Sequence, residues 1–467
     1  MTTSSRPATI AELRASGYRV RSVKQEMREN LIRKIRGGET LFPGIVGYEE
    51  TVIPQVENAI LSGQDIVLLG ERGQAKTRIA RSLVQLLDEE TPAIAGCEIH
   101  DDPYAPICRA CQLRVADEGD DAPIQWVPRD RRYGEKLATP DITIADLVGE
   151  VDPIKVAEGR YLSDELTIHY GLIPRTHRGI FCINELPDLA ERIQVGLLNI
   201  MEERDVQIRG YKVRLPLDLF VVASANPEDY TNRGRIITPL KDRFGSEIRT
   251  HYPRTIGHEV AIMEAESLRL ESEGLHTACP QFIKEIVAEI THQARRSPDV
   301  SPRSGVSVRV SITNLENVMS NAARRAIRLG EREAAPRVSD LGAVLASTAG
   351  KIELDTVGEV REDKLVDRIT RQAIAKVFRD YFDVAELEKL VASFEPGLSV
   401  TVSETQSATE YVDQLALVGG LRAAVAKLIG HGGPAMVASA VEFILEGLHL
   451  AKRLNKDEVV GQARYRR

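Results

Sequence analysis

Short apolar runs alternate with helical periodicity between residues 43 and 253, and each run ends at a polar or glycine-bearing turn. These runs predict strands at 65–69, 179–183, 219–225 and 247–252. Continuous apolar runs of this length are typical of strands that are buried on both faces of a parallel sheet. A helical pattern over 188–203 separates two of them. The alternation therefore predicts an α/β fold, with a parallel sheet covered by helices on both faces.

The patterns on either side of this region are different. Residues 1–42 form a basic segment in which Val23, Met27, Leu31 and Ile35 recur every four residues, so we predict an amphipathic helix. Residues 254–380 show helical periods throughout and predict an all-α lid domain. A helical C-terminal extension is predicted over 381–467. Within the α/β core the alternation lapses over 90–140, and we interpret this stretch as an insertion that carries a cysteine cluster.

Composition narrows the class of protein. The 467 residues are enough for two or more domains, and 43% hydrophobic with 28% charged residues is typical of a soluble globular chain. A net charge of −8 and 5% aromatic residues do not favour nucleic-acid binding. No apolar segment approaches the ~20 residues that span a bilayer. Five cysteines in so long a chain do not suggest a disulfide scaffold, so we expect a reduced, cytoplasmic protein without membrane segments.

A glycine-bearing loop follows the first predicted strand and leads into a helix. It consists of Gly70, Glu71, Arg72, Gly73, Gln74, Ala75, Lys76 and Thr77. Strand, loop and helix in this order can bind a nucleoside triphosphate, because loop N–H groups and the helix N-terminus face the phosphates. Lys76 would contact the β- and γ-phosphates, and the Thr77 hydroxyl would bind Mg²⁺.

The loop departs from the general pattern GxxxxGK[ST], because Ala75 stands where that pattern has glycine. Taken alone, the segment could also be a turn between a buried strand and a helix that happens to contain Lys-Thr. The interpretation as a nucleotide-binding loop is the stronger of the two, and the motifs that follow in the sequence support it.

Two further strands end in polar residues. Asn184 and Glu185 follow the run at 179–183. ATPases that bind ATP with a phosphate loop have a pair of acidic residues at this position. Glu185 can act as the base that polarises the attacking water, and the amide oxygen of Asn184 can accept from a Mg²⁺-bound water. Asn226 follows the run at 219–225 and would lie beside Glu185, orienting the water and sensing the γ-phosphate. Asn184-Glu185 and Asn226-Pro227 could each equally be an ordinary turn at the end of a strand.

Two arginines are candidates for contacts with the γ-phosphate. Arg243, in the segment 239–245, could act as an arginine finger toward a neighbouring subunit, or could pair locally with Asp242. Arg233 and Arg235 are rival candidates for that role. Arg309, at the start of a predicted helix, could couple the helical lobe to the nucleotide, although these residues alone fit a surface arginine equally well.

Taken in order, these motifs resemble the AAA+ ATPases, specifically the branch that contains the magnesium-chelatase ATPase subunit and the MoxR proteins. The resemblance covers roughly residues 40–350. In this branch the phosphate loop commonly ends Ala-Lys-Thr or Ala-Lys-Ser, which accounts for Ala75. Other stretches share the resemblance: Gly47, Arg175-Thr-His-Arg-Gly179, a β-hairpin at 205–215, Asn226-Pro-Glu228 and Leu240-Lys-Asp-Arg-Phe-Gly245.

The resemblance implies roles for the candidate residues. Lys76 and Thr77 bind the phosphates and Mg²⁺ of ATP, and Glu185 is the catalytic carboxylate. Asn226 is the first sensor, Arg243 the finger and Arg309 the second sensor. The resemblance also implies a hexameric ring that acts on a partner with a von Willebrand A domain. One departure concerns Asn184, which replaces the expected aspartate, so that hydrolysis is expected to be slow.

The cysteines at 97–111 form two metal-binding hooks. Cys97 and His100 precede Cys108 and Cys111, and two C-x₂-(C/H) hooks can close a tetrahedral zinc site. The alternative is a loop of reduced cysteines with His100 in a solvated polar patch.

Three functional interpretations stay open at this point. The first is a ring ATPase that remodels a partner, either the motor of a metal chelatase or a MoxR-like chaperone. The second is an enhancer-binding transcription activator, which is less favoured because the segment 145–173 lacks the Gly-Ala-Phe-Thr-Gly-Ala loop of that class. The third is a nucleotide-gated switch with little turnover, which is suggested by Asn184.

Overall fold

The computed structural model describes residues 6–158, 164–202, 206–208, 211–213, 215–227, 234–268, 270, 274–301, 305–354, 361–394, 398–459 and 461–467. The chain divides into two compact units, Met1–His251 and Tyr252–Arg467. The predicted boundary at 253/254 therefore lies two residues from the division between the units. Arg233, Gly210, Glu228 and the predicted break at 395–397 lie outside the described residues.

Parallel strands form the centre of the first unit. Among the described residues, the sheet has five strands in the order β11–β1–β10–β7–β4. Their bounds are Ile66–Leu69 (β1), Tyr133–Leu137 (β4), Gly179–Asn184 (β7), Leu219–Ala225 (β10) and Ser246–Arg249 (β11). Four of these strands match the apolar runs in the sequence, to within three residues at each end. The predicted α/β class with a parallel sheet is confirmed.

Successive residues of each central strand enter two separate cores. In β10, Phe220 and Val222 pack on one side, whereas Val221 and Ala223 pack on the other. Alternation of this kind follows from the two-residue period of a strand. Because the residues on both sides of the strand are apolar, both faces of the sheet need to be covered, and helices cover both of them.

The helices of the first unit complete these two cores. Their bounds are Ile10–Ala15 (α1), Val23–Gly37 (α2), Val52–Ser62 (α3), Lys76–Ser82 (α4), Arg109–Glu118 (α5), Ile144–Leu147 (α6), Pro153–Ala157 (α7), Leu172–Arg175 (α8), Glu191–Glu202 (α9) and Thr238–Arg243 (α10). Helices α2, α3 and α4 pack on one face of the sheet, and α9 and α10 pack on the other. Short 3₁₀ turns occur at Leu83–Leu86, Gly119–Asp121, Arg129–Arg132, Glu165–Thr167 and Leu186–Asp188.

The N-terminal segment 1–42 is part of this unit rather than an independent arm. A capping box between Ser22 and Gln25 starts α2, and Gly38 ends it in the left-handed conformation. Val23, Met27 and Leu31 of the predicted stripe are fully buried in the core. Ile35, the fourth residue of the predicted stripe, is 46% exposed near the end of α2, so the stripe is wrong at this position.

The stretch 90–140 is not simply an insertion. Its last part, β4, is the edge strand of the central sheet and pairs with β7, with Glu135 opposite Cys182. The sequence pattern does not predict this strand, because Tyr133–Leu137 reads Tyr-Gly-Glu-Lys-Leu, which contains no apolar run. An edge strand tolerates such polar residues because one of its sides has no neighbouring strand.

The first part of that stretch is an antiparallel excursion from the sheet. Strands β2 (Glu90–Ile94) and β3 (Ile124–Pro128) pair with each other, and the cysteine-bearing segment lies between them. Two smaller antiparallel pairs also occur in this unit: β5 (Gly149–Val151) with β6 (Ile168–Tyr170), and β8 (Val206–Ile208) with β9 (Tyr211–Val213). The β8–β9 pair confirms the hairpin predicted within 205–215.

The second unit is built mainly of helices around a single large core. Their bounds are Ile256–Glu266 (α11), Gln281–Arg296 (α12), Val308–Leu329 (α13), Val344–Thr348 (α14), Glu362–Tyr381 (α15), Glu388–Ser393 (α16), Ala408–Gln414 (α17), Leu421–Ile429 (α18) and Pro434–Leu450 (α19), with 3₁₀ turns at Val338–Ala343 and Val384–Leu387. Phe282 of α12 stacks on Phe443 of α19, with ring centroids 4.6 Å apart. Helices from both ends of this unit therefore share one core.

This shared core changes the interpretation of the lid and the tail. Residues 254–380 and 381–467 form one compact unit, so the tail is not an appended extension. Nor is it only helical: β14 (Val400–Ser403), β15 (Asn455–Val459) and β16 (Gln462–Arg466) form an antiparallel sheet in the order β14–β16–β15. The lid also contains a short pair, β12 (His276–Thr277) with β13 (Glu333–Ala334). These strands are too short and too polar to give a periodic signal.

Among the described residues, no single helix is long and apolar enough to cross a membrane. Helices α18 and α19 meet the length and composition criteria only as a pair bent by 113°. Most of α19 is buried in the core of the second unit.

A buried ion pair connects α2 to the start of the central sheet. Arg132 donates two hydrogen bonds to Glu26, at 2.8 and 2.6 Å, and a third to the carbonyl of Arg178 at 2.8 Å. Both residues are at most 5% exposed. Glu26 also accepts from the backbone N–H of Asp88 at 2.7 Å.

We predict that Glu26→Gln destabilises the first unit by ~3–5 kcal/mol, because it leaves the buried guanidinium of Arg132 without a counter-charge. The matched control is Glu29→Gln, on the same helix, which removes an exposed pair with Arg21 and is expected to cost less than ~1 kcal/mol. Unfolding of the full chain would be followed by the fluorescence of Trp126, the single tryptophan, which lies in this unit. Equal effects of the two substitutions would contradict the prediction.

Candidate functional site

The predicted phosphate loop lies between β1 and α4, at the carboxyl end of the sheet. Strand β1 ends at Leu69 and α4 begins at Lys76. Gly73 has a φ of +78° and Ala75 a φ of +55°, so both take the left-handed conformation that glycine adopts most readily. Ala75 therefore reproduces the backbone shape that the general motif obtains from glycine.

Lys76 is buried, and its ammonium group is held by oxygens on two sides. It donates to the carbonyl of Gly70, to the carbonyl of Glu71 at 3.0 Å and to Oδ1 of Asn226 at 2.6 Å. Asn226 follows β10, which is the neighbour of β1 in the sheet. Asn226 thus brings the end of β10 into contact with the phosphate loop, which the sequence did not predict.

Residues outside the loop fix its shape. Oε1 of Gln74 accepts from the N–H of Glu71 at 3.1 Å and from the hydroxyl of Thr250 at 2.7 Å. Tyr48 donates to the carbonyls of Gln74 and His251, at 3.0 and 2.7 Å. Burial raises the pKa of Tyr48 to about 12, so the phenol keeps the proton that makes these bonds.

Close packing also explains the glycine at the start of the loop. A Cβ at Gly70 would lie 1.8 Å from Oγ1 of Thr250 and 2.3 Å from Oε1 of Gln74. An open pocket of about 420 Å³ adjoins the loop and is lined in part by Lys241 and Arg249. Glu71 and Glu247 line the same pocket, and Glu247 pairs with both cations. The part of this region whose chemistry suits a polyphosphate is therefore the loop with the N-terminus of α4.

Asn184 connects three strands at the end of β7. Its Oδ1 accepts from the hydroxyl of Thr77 at 3.4 Å and from that of Ser224 at 3.2 Å. Its Nδ2 donates to Oε1 of Glu135, on the edge strand β4, at 2.7 Å. The amide is therefore oriented with its oxygen toward Thr77 and its nitrogen toward a carboxylate.

Glu135 is a site residue that sequence analysis did not identify. Besides Asn184 it binds Arg81, whose Nε and Nη2 lie 2.7 and 3.0 Å from the two carboxylate oxygens. Burial acts to raise the pKa of Glu135, but the bonds and charge of Arg81 outweigh it, so the pKa is lowered from its usual value. A negative charge therefore lies one side chain away from the position where the family pattern has an aspartate.

Glu185 comes directly after Asn184 and has a left-handed backbone, with a φ of +56°. Its N–H donates to the hydroxyl of Ser224 at 3.2 Å, and its Oε2 accepts from Nδ2 of Asn226 at 2.8 Å. Asn226 thus bridges Lys76 and Glu185 through the two ends of one amide. A non-glycine residue in this conformation is unusual and often occurs at functional sites.

The described arginine candidates lie on the surfaces of the two units. Arg243 pairs with Glu202 of α9 on the surface of the first unit, rather than with Asp242. Arg235 is also exposed in that unit. Arg309 is exposed in the first turn of α13, in the second unit.

Three cysteines and one aspartate form a separate cluster in the excursion between β2 and β3. Ligand atoms of Cys97, Asp101, Cys108 and Cys111 all lie within 4.8 Å of one another. Hydrogen bonds from the thiols of Cys108 and Cys111 lower the pKa of Cys97. Of the predicted zinc ligands, His100 is not in this set. It has a φ of +57°, and the next residue supplies the fourth ligand atom instead.

The known proteins that this chain resembles in sequence are distant relatives, with identities near 24%. No family model matches the chain. A magnesium-chelatase subunit ChlI from Nostoc is 24% identical over 368 residues, which cover 74% of this chain and 91% of the relative. ChlI from Synechocystis is 23% identical over 363 residues, covering 74% and 95% respectively. These relatives confirm the resemblance to the magnesium-chelatase ATPase branch of the AAA+ proteins.

Solved structures give weaker matches. The complex of subunits BchI and BchD of magnesium chelatase matches with a TM-score of 0.36 and 18% identity, over 68% of this chain and 97% of that chain. Hsp104 with ATPγS and casein matches with a TM-score of 0.39 and 12% identity, over 69% of this chain and 53% of that chain. Scores this low support no conclusion about function.

We predict that Gly70→Ala weakens nucleotide binding at least ~10-fold, because the added methyl group displaces Thr250 and Gln74, which fix the loop. Gly196→Ala, on α9, is the matched control, since a Cβ there meets no atom within 4 Å. Affinity for a fluorescent ATP analogue would be titrated for both variants and the parent. Unchanged affinity in Gly70→Ala would show that the loop shape does not determine binding.

Proposed function

We propose that this chain, an ATPase of the AAA+ class, hydrolyses ATP at the loop Gly70–Thr77 and uses the reaction to remodel a partner protein. The observation that carries the proposal is the hydrogen-bonded series Lys76–Asn226–Glu185. It connects a phosphate-binding cation to a candidate base through one amide. This arrangement fits phosphoryl transfer, which depends on positioning and charge more than on covalent chemistry.

Each residue of the series has a separate task in this mechanism. Lys76 binds the β- and γ-phosphate oxygens and offsets the charge that develops on them. Glu185 accepts a proton from the attacking water, and its position depends on the hydrogen bond from Asn226. Because Asn226 also contacts Lys76, a change in that contact on binding the γ-phosphate is transmitted to Glu185.

Mg²⁺ fits the oxygen atoms at the start of α4. The hydroxyl of Thr77 and the amide oxygen of Asn184 are the hard ligands that this ion prefers, directly or through water. When bound, Mg²⁺ neutralises phosphate charge. Glu135 holds Asn184 with its oxygen toward Thr77 and adds negative charge nearby. The chain thereby compensates in part for the missing aspartate.

A ring assembly would give the exposed arginines their roles. Arg243 lies at the end of α10 on the surface of the first unit, where it is accessible to a neighbouring subunit, and its pair with Glu202 would have to open. In a hexamer it would contact the neighbour's γ-phosphate as an arginine finger. Arg309 would sense the same phosphate from the helical unit. Both roles rest on the resemblance.

The partner is proposed from the relatives. Their description as magnesium-chelatase subunits favours a motor that acts within a metal-inserting complex. The alternative is a MoxR-like chaperone for a protein with a von Willebrand A domain. Dependence of activity on a tetrapyrrole-binding partner would distinguish the first role from the second.

The first test is steady-state ATP hydrolysis by the purified chain with Mg²⁺. We expect Lys76→Ala to abolish ATP binding, and Glu185→Gln to reduce turnover ~100-fold or more while binding is retained. The matched controls are Lys284→Ala and Glu264→Gln, which break a surface ion pair in the second unit. Turnover that survives both site substitutions would refute the proposal. ATP binding without turnover in the parent chain would instead favour the nucleotide-gated switch.

A second prediction concerns Asn184. Asn184→Asp alone should not accelerate hydrolysis, because the new carboxylate would face Glu135, and like charges raise each other's pKa. The double variant Asn184→Asp/Glu135→Gln restores a donor–acceptor pair and moves the charge next to Thr77. We expect it to hydrolyse ATP about tenfold faster than the single variant, corresponding to ~1.4 kcal/mol.

The same turnover assay measures these variants, with Glu135→Gln alone as the control. If Asn184→Asp alone is as fast as the double variant, then Glu135 does not influence this position.

A further inference from the structure

The segment between β2 and β3 has little apolar core of its own. The apolar cluster around the cysteines has four buried residues, Ile94 at the end of β2 and Ile99, Cys108 and Cys111 of the segment, with a few half-buried neighbours. Ala122 belongs to another small cluster, with Ile10 and Leu13 of α1. Two of the four buried residues in the first cluster are cysteines, and the described cysteines of the chain are free thiols. A segment with so few apolar contacts usually needs another source of stability, such as a disulfide or a structural metal.

The cysteines are held in the geometry of a metal site rather than scattered along the loop. Sγ of Cys97 accepts from the N–H of Asp101, and Sγ of Cys108 accepts from the N–H of Cys111, each at 3.4 Å. Cys108 is also the N-cap of α5, so the helix dipole favours a negative charge on its sulfur. Backbone donors therefore hold the sulfurs of Cys97 and Cys108 in fixed positions within the cluster.

Asp101 provides an independent observation. It is fully buried, and its Oδ2 accepts from the N–H of Cys108 at 2.9 Å. Its Oδ1 is buried and has no hydrogen-bond partner among the described residues. An unpaired buried carboxylate oxygen is costly, but a cation in the cluster would bind it. Cys97, Cys108 and Cys111 place their sulfurs within 4.8 Å of the ligand oxygen of Asp101.

We propose that Cys97, Asp101, Cys108 and Cys111 bind a structural Zn²⁺ ion as a tetrahedral S₃O site. Zinc accepts thiolate and carboxylate ligands, and a site with four protein ligands is closed to substrate and therefore structural. The ligand pattern is C-x₃-D-x₆-C-x₂-C. His100 is replaced by its neighbour Asp101, because the left-handed turn at His100 brings Asp101 into the set.

This zinc site would connect the excursion to the central sheet. The guanidinium of Arg178 donates to the carbonyl of Pro92 at 2.7 Å and to that of His100 at 3.5 Å. Arg178 immediately precedes β7, whose far end carries Asn184 and Glu185. Its positive charge also lies next to a cluster that stays anionic when zinc is bound. The ion would therefore stabilise the entry to the strand that carries the proposed base.

The first experiment measures the metal content of the intact chain, purified under reducing conditions without added metal. We expect about one zinc per chain by elemental analysis, and a fall in the melting temperature when a zinc chelator removes it. Readdition of zinc alone should restore the melting temperature. A metal-free chain that neither retains added zinc nor gains stability from it would overturn the proposal.

Matched variants then identify the ligands. Asp101→Asn and Cys111→Ser should each weaken zinc affinity at least ~10-fold, measured by competition with a chromophoric chelator. His100→Ala and Cys279→Ser should not change it, because neither residue is in the cluster. Weakening by His100→Ala but not by Asp101→Asn would exclude the proposed ligand set. Thiol titration would detect a Cys108–Cys111 disulfide, which could form in the metal-free chain under air. The same disulfide in the native chain would also exclude the zinc site.

Discussion

The register of three parallel strands is the constraint on which the candidate site depends. Leu69 of β1 pairs with Ala225 of β10, and Ala223 of β10 pairs with Ile183 of β7. The residues that follow these strands therefore emerge at one edge of the sheet, as the carboxyl ends of parallel strands do. Lys76, Asn226 and Glu185 meet there although they are far apart in the sequence. A slip of one residue in β10 would move Asn226 away from both partners.

Apolar residues on both faces of the sheet hold this register. Because alternate residues of β1, β7 and β10 enter two different cores, a shift by one residue would exchange the two sets. The buried pair between Glu26 and Arg132 adds a polar constraint at the opposite end of β7, through the carbonyl of Arg178. Packing therefore determines the position of the site, whereas the polar residues determine its chemistry.

Sequence patterns predicted the parts of the molecule that depend on long apolar runs and on local motifs. The strands β1, β7 and β10, the loop between β1 and α4, and the position of Asn226 beside Glu185 are of this kind. The edge strand β4 was missed because its residues, Tyr-Gly-Glu-Lys-Leu, contain no apolar run, and Glu135 was missed with it. Asp101 was missed because its place among the cysteines depends on a left-handed turn at His100. The sheet β14–β16 depends on pairings between residues about 60 positions apart, which no local pattern contains.

The replacement of an aspartate by Asn184 illustrates why motifs need the surrounding contacts. Read along the chain, Asn184 suggests a weakened magnesium site. In the fold, its amide accepts from Thr77 and donates to Glu135, so the orientation of the oxygen is fixed by a carboxylate from the adjacent strand. Arg81 keeps that carboxylate ionised. A carboxylate that is paired with Arg81 thus lies one hydrogen bond away from the end of β7. In the proposed mechanism, the effect on hydrolysis would therefore depend on the distance between this carboxylate and bound Mg²⁺, and not on the identity of residue 184 alone.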